Sequence, residues 1–381
     1  MGNNFFQRLQ SVVWPGEVAD ILNLIKQMGF HGYVVGGAVR NQLWDLPVAE
    51  WDLTTDLPLA QLLELFGDRH PGAHFGTVRA GPNIEITVMR REAAYSDARH
   101  PDEIEPTAQI ELDLARRDFT VNAVAVGLDG AWWAAGAEQD VADRRLRTVG
   151  DPTERFREDP LRILRLVRLL ATCRAIADPA SWQAARVHSG WTARPSRERR
   201  LAEFLAFLRA DPDRWGLWAE AGLMSALEWP DRQRNFLSVT PDAALARLYL
   251  FMRQIGLSSD EVLRWTTAWP LLRSWRQTLK KAWTVEDPLE GEEWARRARL
   301  GGQIAGLWSD LARAAGFDAN DLAPIRPVLP ASVLAAELGV KGPLIGELDR
   351  LVRAAVAADP LANRPATLRN IAQRWAHGQK A

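Results

Sequence analysis

Glu50 and Asp52 stand two residues apart, fourteen residues after the pair Gly36-Gly37. On a β-strand, side chains at i and i+2 point to the same face. Two carboxylates on one face repel each other unless a cation lies between them, and a divalent metal ion is the usual one. The run Tyr33-Val34-Val35-Gly36-Gly37-Ala38-Val39-Arg40 reads as strand, tight turn and helix start. A glycine turn before a helix offers bare backbone N–H groups to an anion. Carboxylates for a metal beside a cradle for phosphate point to nucleotide chemistry. In a two-metal transfer, acids hold the ions while an attacking hydroxyl is activated and a triphosphate is steadied. A third acid often comes from a neighbouring strand. Glu85, between Ile84 and Ile86, is the candidate, and an exposed strand position explains it equally well. An isolated acid pair is more often a solvated strand end, so the downstream motifs matter.

Two of them carry further chemistry. In Arg116-Arg117-Asp118-Phe119-Thr120-Val121-Asn122-Ala123, Asp118 and Asn122 are four apart and would share a face of a helix that starts near Arg117. An arginine takes phosphate oxygens with two N–H groups at once, while Asp and Asn bond ribose hydroxyls. Alone, this motif is better read as a capped helix with surface arginines. In Glu158-Asp159-Pro160-Leu161-Arg162-Ile163-Leu164-Arg165-Leu166-Val167-Arg168, Asp159 is a natural helix cap and Pro160 suits the first helical position. Arg162, Arg165 and Arg168 recur every three residues as a basic stripe. The bland alternative is an amphipathic helix with a solvated basic face.

The elements that must position these residues change character along the chain. A short helix is expected at 17–29, strands at 32–36, 50–54, 74–80 and 83–90, and helices at about 38–46 and 58–66. That is a mixed α/β head. Residues 91–111 are polar and turn-rich and read as a long, functional loop. Mixed structure returns at 112–149, and from about 152 the pattern is almost wholly helical. The expected fold class is therefore α+β: a head over 1–143, a helical neck over 144–230, and a helical body and tail over 231–381. The 17 Trp are spread through the chain; a few could stack on bases, but helical Trp is more often core, so none is assigned to a site.

At 381 residues the chain is long enough for more than one domain. Cys173 is the only cysteine, which excludes a disulfide framework and a cysteine-rich zinc site. No charged-then-apolar leader and no bilayer-length apolar run is visible, so no membrane partner is expected and the plain expectation is a cytoplasmic protein. The net charge of −1 hides a strong asymmetry. Residues 1–143 hold 21 acids and 10 Arg or Lys, a net of −11; residues 144–209 hold 7 acids and 15 Arg, a net of +8. A preference for Arg over Lys is a coding bias, but the local excess of positive charge is the footprint of a phosphate-binding strip.

Taken in order, Gly36–Arg40, the acids at 50 and 52, Arg116–Ala123 and Glu158–Arg168 resemble the class II tRNA nucleotidyltransferases, the CCA-adding enzymes, with their bacterial poly(A) polymerase relatives. Asp140 followed by Gly150 matches that family's head-to-neck connection, and Ser196–Glu203 resembles its neck helix. The resemblance is strong over about 30–230 and weak beyond, where Leu338–Pro343 is similar to the tail. It implies a nucleotidyltransferase head of the DNA-polymerase-beta type followed by helical neck, body and tail. The implied activity is Mg²⁺-dependent addition of C, C and A to the tRNA 3′ end from CTP and ATP. An A-adding enzyme, a poly(A) polymerase, or a weakened RNA-binding homologue are the alternatives. Partners would be CTP, ATP and the tRNA acceptor end; the oligomeric state is left open.

By motif match, Glu50 and Asp52 would hold the metal, with Glu85 as the third catalytic acid. Gly36, Gly37 and Arg40 would hold the triphosphate, and Arg117, Asp118 and Asn122 the sugar and phosphates. Asp159 and Arg162 would be the templating pair, with Arg165 and Arg168 continuing to the phosphates. The chemistry supports the pair: C and A each place an amino donor beside a ring-nitrogen acceptor, which a carboxylate beside a guanidinium matches, whereas G and U do not. Two positions depart from the family. Glu50 stands where Asp is usual, and Asn41 where an Asp follows the Arg of the glycine turn. The loop around Tyr95–Pro101 has full length, which in this family favours complete CCA addition or A addition over C-only addition.

Overall fold

A computed structural model describes residues 2–67, 76–91, 105–230, 243–283, 291–300, 305–315, 317, 327–358 and 363–378. The chain divides into two compact units. One comprises Met1–Ala210 and Arg214–Asp231, the other Asp211–Asp213 and Arg232–Ala381. Most of the loop expected at 91–111, including Tyr95–Pro101, lies outside the described residues.

In the first unit the chain runs through α1 (Gly2–Gln10), α2 (Gly16–Gln27), β1 (Gly32–Val35), α3 (Gly37–Leu43), β2 (Trp51–Thr55), α4 (Leu59–Phe66), β3 (Thr77–Gly81) and β4 (Ile84–Val88). Then follow β5 (Arg90–Arg91), β6 (Glu105–Pro106), α5 (Ile110–Ala115), β7 (Val124–Gly127), β8 (Gly130–Trp133), α6 (Ala137–Ala142) and β9 (Arg145–Leu146). The unit closes with α7 (Pro152–Glu158), α8 (Leu161–Thr172), β10 (Ile176–Ala177), α9 (Pro179–Val187), α10 (Arg197–Phe207) and α11 (Gly216–Glu220).

Six strands form one mixed sheet in the order β3-β4-β2-β1-β7-β8. Only β2 and β4 run parallel, which sets Asp52 beside Glu85; β1 runs antiparallel to β2 and sets Val35 beside Asp52. The β-branched runs explain the sheet's centre. Val34 and Val35 of β1 and Val124 and Ala125 of β7 are buried on both faces, as central strands require. In β2, Leu53, Thr54 and Thr55 are buried while Asp52 opens to solvent, so the acid marks the mouth of the sheet. β7 pairs with β1 so closely that a Cβ at Gly127 would stand 2.6 Å from the Gly32 carbonyl oxygen and 2.7 Å from the Tyr33 ring.

One expectation fails. Arg116–Ala123 is not one helix. α5 ends at Ala115, and a short 3₁₀ turn covers Thr120–Asn122. Between them Phe119 is extended, fully buried, and bridged to Thr148. The backbone on either side is instead drawn into bonds with the strand that leaves the head (Thr120 N–H to the Arg147 carbonyl, 2.9 Å; Val149 N–H to the Asp118 carbonyl, 3.2 Å), which takes groups that a continuous helix would use internally. Asp118 and Asn122 still meet, because the turn folds Asn122 back (Nδ2 to Asp118 Oδ1, 2.9 Å).

Past the sheet, Asp140 is almost fully buried and accepts from Thr120 Oγ1 (2.6 Å) and Arg147 Nε (2.8 Å). It thereby pins α6, the 3₁₀ turn and the strand that leaves the head. α8 then presents Ile163, Leu164, Leu166, Val167 and Leu170 to the core and packs against α10, which contributes Leu201, Phe204 and Phe207. In the second unit, the described residues form helices over Ala244–Gln254, Ser259–Ala268, Arg273–Trp283, Gly291–Leu300, Ala305–Ala314, Ala331–Leu338, Leu344–Ala358 and Pro365–Gly378. Tyr249 there meets Trp283 and Trp308 edge-on, with ring centroids 5.4 and 5.5 Å apart.

Gly127→Ala should destabilise the protein by about 2 kcal/mol, because the methyl group must push β7 off β1 in a packed sheet. Urea unfolding of the two proteins checks this; an unchanged midpoint would mean that the β1–β7 contact gives way freely.

Candidate active site

Gly36 ends β1 with φ at +72°, a left-handed conformation that favours glycine. Its missing side chain leaves open the space between two charged groups. A Cβ there would lie 3.5 Å from Asp52 Oδ2 and 3.6 Å from Arg117 Nη1. The carboxylate and the guanidinium thus face one gap over the glycine, yet no ion pair joins them among the described residues. Asp52 opens to solvent on one side only, and the protein packed around the rest of its carboxylate desolvates it and raises its pKa; Arg117 and Arg165 oppose this, while Glu85 and Glu50 raise it further. The position is therefore one where added positive charge is favourable.

Glu85 lies in register beside Asp52 on the parallel neighbour strand, about 4.8 Å away in backbone spacing. It is half-buried and receives Arg79 Nη2 at 3.1 Å. Glu50 precedes the strand, which begins at Trp51 and not at residue 50. Strand alternation therefore does not place Glu50 on the face of Asp52, although its charge reaches Asp52. Among the described residues no three His, Cys, Asp or Glu side chains form a ready-made metal cage. The donors present still suit Mg²⁺, which commonly takes one or two carboxylates and completes its shell with water and substrate phosphate oxygens.

Arg40 and Asn122 point inward. Arg40 is buried and donates from Nη1 to Asn122 Oδ1 (2.6 Å), and from Nε and Nη2 to Asn41 Oδ1 (3.1 and 2.8 Å). Asn41 in turn donates from Nδ2 to the Pro47 carbonyl (2.7 Å). Only an amide performs both tasks; an Asp here would lose the tether to the segment that leads to Glu50. Gly37 leaves Arg40 Nη2 3.5 Å from where its Cβ would be.

Asp118 is the junction of the site. Oδ1 accepts from the Phe119 N–H (2.8 Å) and from Asn122; Oδ2 accepts from Arg165 Nε (2.8 Å). Burial pushes its pKa up, but Arg165, the Asn122 bond and Arg162 outweigh that and hold it well below the usual carboxylate range. Arg165 is correspondingly raised, chiefly by Asp118. From α8 the network continues into α10: Arg168 Nε donates to Glu203 Oε2 (2.6 Å), and Arg165 Nη1 lies 3.9 Å from Glu203 Oε1. One polar chain therefore runs Asn41–Arg40–Asn122–Asp118–Arg165–Glu203–Arg168. It joins the glycine turn, the second motif, the basic helix and the neck helix.

Asp159 accepts the Leu161 N–H (3.1 Å) and Arg199 Nη2 (3.1 Å). Arg162 bonds the Glu158 carboxylate (2.7 Å) and the carbonyls of Arg155 and Arg116 (3.1 and 2.9 Å). The expected templating pair thus starts one α8 turn, each member already oriented by other groups. The basic stripe is not a solvated face: Arg162, Arg165 and Arg168 each reach an acid.

Several residues that shape the site had no role in the reading of the sequence. Asp113, fully buried, grips both Arg116 (Nε, 2.9 Å) and Arg117 (Nη2, 2.7 Å). Burial pushes its pKa up, but Arg117 and Arg116 outweigh that and lower it. Its spacing, three and four residues before the arginines on α5, was the available signal. Arg199 and Glu203, four apart on α10, both turn toward α8, where they meet Asp159 and Arg168.

Fold and geometry together define a nucleotidyltransferase head. Residues 32–147 match the poly A polymerase head domain. Among curated proteins, the CCA-adding enzyme of Lactobacillus helveticus is 35% identical over 190 residues, 49% of this chain and 48% of that protein. The CCA-adding enzyme of Lacticaseibacillus paracasei is 32% identical over 271 residues, 68% of this chain and 66% of that protein. The chain spans about half the length of the curated relatives it matches. In overall fold it is similar to the crystal structure of the Bacillus stearothermophilus CCA-adding enzyme in complex with CTP, at 23% identity, with a TM-score of 0.69 over 96% of this chain and 98% of that one. It is also similar to the Thermotoga maritima CCA-adding enzyme complexed with tRNA, at 16% identity, with a TM-score of 0.64 over 97% of this chain and 98% of that one. The chain belongs to the class II tRNA nucleotidyltransferase and bacterial poly(A) polymerase family.

Asp118→Asn should cost about 2 kcal/mol, less than a fully buried pair because Arg165 is partly open to water. Since the folded-state pKa of Asp118 is depressed, its contribution is present above the unfolded value of about 3.9 and is lost as pH falls toward the folded one. Acid unfolding followed by circular dichroism should accordingly be shallower for the variant below about pH 4; parallel curves would remove Asp118 from its central place.

Proposed function

We propose that this protein adds C, C and A to the 3′ end of tRNA from CTP and ATP. The observation that carries this reading is the gap over Gly36, where Asp52 and Arg117 face each other without pairing on a head of this family. A triphosphate lying there meets Arg117 and the N–H groups that follow Gly36. The terminal ribose 3′-oxygen forms a bond to the α-phosphorus, the bond from that phosphorus to the bridging oxygen breaks, and pyrophosphate leaves. Asp52, with Glu85 beside it and Glu50 ahead of it, would hold Mg²⁺. Bound there, the ion would neutralise phosphate charge and lower the pKa of the attacking hydroxyl.

The chain's own residues do the positioning. Asp113 holds Arg117 at the gap. Arg40, bound to Asn122, braces the turn that carries Gly36 and Gly37, and the buried Asp118 and Asn122, expected at the sugar, act from behind by holding Arg40 and Arg165 in place. Asp159 and Arg162 select the base: a carboxylate acceptor beside a guanidinium donor satisfies C and A and leaves groups unpaired against G and U. Arg165 and Arg168, fixed by Asp118 and Glu203, extend positive charge toward the phosphates. The head at 1–143 and the neck at 144–230 would form this site, and 231–381 would hold the tRNA acceptor arm by shape and phosphate contacts.

A tRNA transcript lacking CCA tests this directly. With Mg²⁺ and CTP it should gain two residues, and with CTP and ATP three. Asp52→Ala should reduce extension at least about 10³-fold while tRNA binding persists. Extension that survives this change would remove Asp52 from the metal site. A added only to a transcript ending in CC would indicate an A-adding enzyme instead.

A further inference from the structure

Ten of the 15 arginines in residues 144–209 lie within ion-pair distance of an acid. The basic excess read from the sequence is therefore mostly internal. Of the other five, two flank a pair of stacked rings. Arg186, in the last turn of α9, and Arg194, just past the 3₁₀ turn Ser189–Ala193, are exposed and reach no acid among the described residues. Between them His188 stacks on the half-buried Trp191, ring centroids 3.9 Å apart and planes 16° apart, and the Arg194 guanidinium lies 5.1 Å from the same ring.

We propose that this corner, Arg186 to Arg194, is a contact surface for the phosphate backbone of an RNA duplex, the stem of the tRNA acceptor arm. The proposal rests on the function set out above. Guanidinium groups without an acid partner keep their donors free for phosphate, which they fit two bonds at a time. The Trp191 ring already carries His188 and Arg194, so it supports these side chains and is not a bare platform for an unpaired base. That favours a stem over a single strand, since a base-paired stem is recognised through backbone and shape. Stacking also orders Arg194 in advance and lowers the cost of fixing it on binding. Arg194 and Pro195 lead directly to Ser196, the cap of α10. α10 carries the Arg199 and Glu203 that hold α8, so a stem seated here would sit on the same frame as the base-selecting residues.

The test is fluorescence anisotropy of the full chain with two labelled RNAs, an acceptor-stem minihelix and a single strand with the same 3′ end, over a series of salt concentrations. The double variant Arg186→Ala/Arg194→Ala should bind the minihelix about tenfold more weakly, with a salt slope lower by about 1 to 2. The single strand should bind as before, and thermal melting should be unchanged because both side chains are exposed. Arg186→Lys/Arg194→Lys should restore most of the slope, since charge is what the phosphates read. An unchanged minihelix affinity and slope overturns the proposal, as does an equal loss for both RNAs. If an acidic peptide competes as well as the minihelix does, the surface serves a protein and the proposal also falls. A parent protein that binds no minihelix at all would instead overturn the tRNA function itself.

Discussion

The contact between Asp118 and Arg165 is the constraint on which the rest of the first unit's polar architecture depends. Asp118 is buried, and a buried carboxylate is costly unless it is paired and hydrogen-bonded on every side. It meets that condition by drawing on three different parts of the chain: its neighbour Phe119, Asn122 of the 3₁₀ turn, and Arg165 of α8. Each partner is then fixed for a further purpose. Asn122 orients Arg40 behind the glycine turn, and Arg165 stands at the head of a basic row that Glu203 steadies from α10. Removing the junction would leave charges stranded on both sides of it, so the motifs are held as one network and not as separate patches.

The same logic explains how so basic a stretch avoids repelling itself. Within 144–209 the arginines are placed against acids on neighbouring turns and helices: Arg162 against Glu158, Arg168 against Glu203, Arg199 against Asp159. Such pairs on a solvent-facing helix contribute little, but at a packed α8–α10 seam they fix helix rotation and side-chain direction. The acidic end of the sheet is treated in the opposite way. Asp52, Glu85 and Glu50 are left with a surplus of negative charge that Arg117 and Arg165 only partly offset. The site is thus poised between an incompletely neutralised carboxylate and an arginine held at a distance, an arrangement suited to a phosphate-bearing ligand.

Much of this was legible from residue types. The β-branched runs foretold β1, β2 and β4, whereas α8 starts one residue later than Asp159-Pro160 implied: Pro160 is its cap and Asp159 closes α7. Glu50 falls outside the strand expected at 50–54, because β2 starts at Trp51. The helix expected over Arg116–Ala123 is interrupted because the backbone at 118–120 pairs with that at 147–149. Spacing rules assume continuous secondary structure, and backbone pairing with a segment distant in the chain breaks that continuity. Asn41 looked like a loss relative to the family pattern; its amide instead bridges Arg40 and Pro47, a double role visible only when both partners are in place.

The sequence by itself determined the mixed head, the helical remainder, the family resemblance and the residue types from which the site is built. These follow from local propensity, apolar periodicity and motif order, all properties of neighbouring residues. Tertiary structure alone decided which charges remain available. Whether Arg165 faces solvent or Asp118, whether Arg199 reaches Asp159, and whether Arg186 and Arg194 keep their donors free depend on contacts between residues far apart in the chain. A charge count records how many arginines there are, whereas burial and geometry set the energy of each one.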